Sequence, residues 1–67
     1  MTENEMMAAL EAAKQISKET SRAVYALGNG NQIIFGHDFL IEPRLEEFKS
    51  KGYWVVSIFI NGMRAEA

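Results

Sequence analysis

Sixty-seven residues without a cysteine, and with a single histidine, leave this chain no chemical staple. Disulfides and thiolate zinc sites both require cysteine, and His37 alone cannot build a structural metal centre. A domain of this mass hides only roughly 60% of the surface its unfolded chain exposes. Small folds without disulfides or metals hold together by tight packing or by pairing with a partner subunit. The chain is therefore expected to bind no metal or cofactor and to self-associate as a homodimer.

Composition narrows the class further. At 48% hydrophobic and 24% charged the chain is a globular one, because disordered segments lack the Ile, Val and Phe present here. A net charge of −2 and a pI near 5.2 provide no global attraction to nucleic acid or to an anionic membrane. The acidic Met1-Thr2-Glu3-Asn4-Glu5 start lacks the basic and apolar regions of a signal peptide. The longest apolar run, Tyr53 to Ile60, is interrupted by Ser57 and is far too short to span a bilayer. A cytoplasmic location is the resulting expectation. A self-contained reading frame of this size resembles in style a small bacterial or phage accessory protein.

The first element is a helix. Thr2 followed by Glu5 forms a capping-box pair, in which each side chain satisfies an orphan backbone N–H. Met6, Ala9, Leu10, Ala13 and Ile16 then fall on one face with Ser17 among them, and Glu11, Gln15, Lys18 and Glu19 on the other. The pattern ends at Thr20 and Ser21.

A hairpin follows. Arg22 to Leu27 and Gln32 to Phe35 are strand-like around Gly28-Asn29-Gly30-Asn31. Asn-Gly is the preferred pair for a two-residue type I′ turn, where both positions need positive φ. That turn sets Ala26 opposite Ile33 and Val24 opposite Phe35. One face carries Val24, Ala26, Ile33 and Phe35; the other carries Tyr25, Leu27 and Ile34. Both are apolar.

Phe39-Leu40-Ile41 either extends the second strand beyond a bulge at Gly36 or forms a loop that packs down. Pro43 suits the first position of a second helix, which continues through Ser50 with Leu45 and Phe48 inward and stops at Gly52. Glu46–Lys49 and Glu47–Lys51 support its outer side. Tyr53 to Ile60 is the strongest strand, with Trp54, Val56, Ile58 and Ile60 on one face and Tyr53, Val55, Ser57 and Phe59 on the other. Asn61-Gly62 turns the chain into a flexible tail over 63–67.

The expected fold is α+β, a single domain over 1–67 in the order α-β-β-α-β. The third strand lies beside the first, and both helices lie on one face of a three-stranded sheet. Such an arrangement leaves Tyr25, Leu27, Ile34, Tyr53, Val55 and Phe59 bare on the opposite face. Monomers rarely expose so large an apolar patch, so these six are the interface candidates for a homodimer or a second protein. The alternative is that Phe39-Leu40-Ile41 folds over that face.

Polar candidates are sparse. Arg22, His37 and Asp38 gather at the open end of the hairpin, with Glu42 nearby. Neighbouring His-Asp on a strand point to opposite faces, which does not suit a nucleophile–base–acid relay. They read as a polar hairpin closure. A small enzyme using His37 with Asp38 or Glu42 is the weaker alternative. Lys14, Lys18 and Arg22, spaced four apart beside Tyr25, suggest a second alternative, a nucleic-acid-binding module, but Glu11 and Glu19 share that helix. The aromatic residues Trp54, Phe35, Phe39, Phe48 and Phe59 are expected in the core. The functional expectation is a non-enzymatic binding or regulatory protein acting through protein–protein contacts.

Overall fold

The computed structural model describes residues 2–65. Helix α1 spans Glu3–Thr20, followed by strands β1 (Val24–Gly28) and β2 (Ile33–His37). A segmented helical stretch comes next: α2 (Asp38–Ile41), a 3-10 turn over Glu42–Arg44, and α3 (Leu45–Ser50). Strands β3 (Trp54–Ile60) and β4 (Met63–Ala65) complete the chain. The sheet has the order β2-β1-β3-β4, and every neighbouring pair is antiparallel. The fold is α+β, as expected, but with four strands rather than three. Met63–Ala65, read as tail, is a strand; the rest of that tail, 66–67, lies outside the described residues.

Local chemistry accounts for each terminus. The Thr2 hydroxyl accepts the Glu5 N–H at 3.2 Å, and the Glu5 carboxylate accepts from Thr2 in return, which closes the capping box. Glu3 and Glu5 in the first turn and Lys18 in the last complement the helix dipole. At the end of α3 the Tyr53 N–H reaches the Phe48 carbonyl and the Gly52 N–H that of Lys49, each at 3.0 Å. With Gly52 at φ +89 this is a Schellman ending. The Phe48 and Tyr53 rings meet edge-on across it, their centroids 6.1 Å apart.

The two Asn-Gly pairs behave differently. Asn61 and Gly62 both have positive φ, 53 and 77, as a type I′ turn demands, and Ile60 pairs with Met63 directly across them. At the first hairpin Asn29 has no positive φ. Its side-chain oxygen instead accepts the N–H groups of Asn31 and Gln32, both at 2.9 Å, and the connection is four residues long. The register is therefore Gly28 opposite Ile33 and Ala26 opposite Phe35, two positions from the expected pairing. A shift of two preserves facing, so Val24, Ala26, Ile33 and Phe35 still share a face.

In β3 a register shift between Ala26 and Leu27 marks a bulge: Ala26 pairs with Ser57 and Leu27 with Val55, leaving Val56 as the extra residue. The bulge breaks the expected alternation. Val56 joins Ser57 and Phe59 on the α1 side, while Val55 keeps to the face of Leu27.

The expectation that both helices share one face is overturned. Ala13 of α1 packs on Val24, Ala26 and Phe59, with Leu10, Ile16, Ile33 and Val56 around them. The α2 segment covers the other face. Ile41 lies against Gly36, where an added Cβ would sit 3.2 Å from its Cδ1, and Gly36 pairs with Tyr25, on the side away from Val24 and Ala26. Phe39-Leu40-Ile41 is thus a helical turn that packs down, not a strand extension. Gly36 explains why it fits: without a side chain the sheet accepts Ile41 in close contact.

The buried core is thin. Its apolar members are Ala13, Val24, Ala26, Leu27, Ile41 and Phe59. Of the five aromatic residues assigned to the core only Phe59 is buried and Phe48 is half-buried, whereas Phe35, Phe39 and Trp54 are exposed.

Candidate functional site: a groove between α1 and the β3–β4 hairpin

Helix α1 meets the hairpin at one end through Ser17, which is fully buried. Its hydroxyl donates to the Lys14 carbonyl at 2.7 Å and accepts the Gly62 N–H at 2.9 Å. Beside it, a Cβ added to Gly62 would lie 3.0 Å from the Lys18 Cβ. A turn pressed so closely on the helix holds β4 along its flank. The result is an open groove of about 450 Å³. Leu10, Ser57 and Phe59, buried or half-buried, form its floor. Met7, Glu11 and Lys14 stand on the helical bank, and Gly62, Met63 and Arg64 on the strand bank.

The groove's charges are unusual for this molecule. Arg22, Arg44, Lys49 and Lys51 each have a carboxylate within 4.0 Å. Among the described residues Lys14, Lys18 and Arg64 have none, and all three line or border the groove. Arg64 donates to the Val56 carbonyl at 3.3 Å. Met7 is 58% and Met63 71% exposed. Unbranched, polarizable methionines adapt to irregular partners.

The six interface candidates do not form one bare surface. Leu27 is buried, 1% exposed, under the α2 side, and Phe59 is buried on the opposite face beneath α1. Tyr25 is half-buried and its hydroxyl donates to Glu42 at 2.8 Å. This bond chiefly, then burial and the charges of Glu42 and Asp38, raises the Tyr25 pKa above its usual value. Tyr53 packs on Phe48 and accepts from the Gln32 side chain at 2.6 Å. Ile34 is half-buried and Val55 exposed.

The polar candidates come together, though as a lock between elements. Arg22 pairs with Asp38 at 3.2 Å and lies 4.7 Å from the Phe39 ring centre. Asp38 also accepts the Phe39 N–H at 2.8 Å. His37 Nε2 lies 3.1 Å from the Thr20 hydroxyl, with its ring stacked on Phe39. Glu42 is taken by Tyr25 rather than by His37. The Lys14, Lys18 and Arg22 stripe does not gain its stacking surface either, because Tyr25 sits on the sheet face away from α1.

Sequence reasoning placed Leu10 in the core and Lys14 on a basic stripe, but did not join them to Phe59, Met63 and Arg64. The signal was present: Asn61-Gly62 followed by Met63-Arg64-Ala65 is a hairpin continuation. Compared with protein-family models, curated proteins and solved structures, the chain has no significant match. No helix of the described residues is long and apolar enough to cross a membrane.

Proposed function

We propose that this is a small non-enzymatic binding protein that acts through protein–protein contacts, and that the α1/β3–β4 groove is where it binds. One observation carries the reading: a groove with an apolar floor, flanked by exposed methionines, is lined or bordered by every Lys and Arg lacking a carboxylate partner among the described residues. An amphipathic segment laid into an apolar groove gains affinity from anchors spaced along one of its faces. The polar cluster around His37 supports no competing reading, since its groups are engaged in holding β2, α2 and the end of α1 together.

The test is a random peptide library panned against the dilute protein, followed by NMR mapping of the selected peptides. They are expected to shift resonances of Leu10, Phe59 and Arg64, and Met7→Glu is expected to weaken them at least tenfold without unfolding the protein. Peptides that map to the opposite sheet face, or a library that yields no binder, would overturn the proposal.

A further inference from the structure

Resting on that groove as a binding site, we infer that its occupant is helix α1 of a second copy of this chain, docked antiparallel. The exposed residues Met7, Glu11, Lys14 and Lys18 follow a four-three-four spacing, the seam of a two-helix coiled coil. At 100° per residue they fall within an arc of about 60°, next to the stripe that α1 buries against its own sheet. Charge along this seam is divided by position. Glu3 and Glu11 lie on or beside it in the first part of the helix, and Lys14 and Lys18 on it in the second.

That division selects one orientation. With two helices parallel and in register, Glu11 would meet Glu11 of the partner subunit, and Lys14 would meet Lys14 of the partner subunit. Turned antiparallel about a two-fold axis between positions 12 and 13, Glu11 meets Lys14 of the partner subunit, and the same pair recurs by symmetry. Met7 then lies along the aliphatic stem of Lys18 of the partner subunit, a contact that leaves the ammonium in water. Both layers keep the same register, as an isologous contact requires. Glu11 and Lys14, neither with an ion-pair partner among the described residues, thus find opposite charges in the pair.

Exposed ion pairs individually contribute little, so their role is to set direction, while the apolar groove supplies the affinity. One helix and one groove make an interface at the small end of the known range, and the dimer is expected to dissociate in the micromolar range.

Sedimentation velocity over a concentration series tests this on the whole chain. The dimer fraction is expected to rise with concentration. Lys14→Glu alone, which sets carboxylates opposite each other twice, weakens association at least tenfold, and so does Glu11→Lys alone. Glu11→Lys combined with Lys14→Glu restores association by exchanging the partners. Both substitutions lie at exposed positions, and circular dichroism verifies that α1 stays folded in all three variants. A wild-type chain that remains monomeric throughout overturns the inference, as does a dimer insensitive to the single charge changes or unrescued by the double one. If the wild type is monomeric while selected peptides still map to the groove, this inference fails and the binding-protein reading stands. If no peptide maps there, the reading itself fails.

Discussion

Several side chains in this molecule do work that their chemical type alone would not suggest. Tyr25 was patterned as an apolar sheet residue, yet its hydroxyl is committed to Glu42 and so ties β1 to the helical segment above it. Because the native state raises its pKa, the folded protein holds the phenolic proton more tightly than the unfolded chain does. The corresponding stability is fully present below the ordinary tyrosine pKa, about 10, and is lost as pH rises through the higher native value. Tyr25→Phe is therefore expected to lower stability at neutral pH by no more than about 1 kcal/mol, since the bond is open to solvent. Above about pH 10 the wild type should lose stability faster than the variant. Urea titrations of both proteins across that range measure it, and parallel curves would remove the role assigned to the bond.

At the scale of elements, the attachment of the β3–β4 hairpin to α1 depends on a few atoms. Ser17→Ala removes the acceptor of the Gly62 N–H from a fully buried site, and an orphaned buried donor costs about 1–3 kcal/mol. Gly62→Ala meets Lys18 at 3.0 Å and forces a left-handed conformation on a residue with a Cβ, which costs about 1–2 kcal/mol. Both should lower the urea midpoint and raise hydrogen exchange in β4 more than in β1. Uniform exchange across the sheet would show that the hairpin is not a separately held unit. The bulge at Val56 belongs to this scale too. By switching faces part-way along β3 it sends Phe59 beneath α1 while Val55 stays with Leu27. A strict alternation of period two could not anticipate that.

For the molecule as a whole, the accessible surface is 4481 Å², close to the roughly 4,300 Å² expected of a folded monomer of this mass. One copy is thus compact by itself, and dimerisation is not needed to cover a naked sheet. Two helical layers on opposite faces have replaced the one-sided arrangement that the pattern suggested. What persists from the size argument is the thinness of the core, in which Leu27 is the largest fully buried side chain. Leu27→Ala is expected to cost about 2–5 kcal/mol, a large part of the total stability of a domain this small. Trp54→Ala, at a side chain 53% exposed, should cost clearly less although the residue is far bigger. Denaturation followed by far-ultraviolet circular dichroism ranks the two; the reverse order would mean that the core is centred elsewhere.

Where the determinants were local, the sequence was sufficient. Thr2 and Glu5 announce the start of α1 because their bonds span three residues, and Gly52 announces the end of α3 because only glycine readily adopts its backbone angle. The face shared by Val24, Ala26, Ile33 and Phe35 survived a register slip of two because strand side chains alternate with that period. Tertiary structure decided the rest. Which face the Phe39–Ile41 segment covers depends on Ile41 meeting Gly36, and the groove exists because Ser17 meets Gly62, 45 positions along the chain. Contacts between distant residues leave no periodic trace in sequence, so these two placements were settled only when the chain folded.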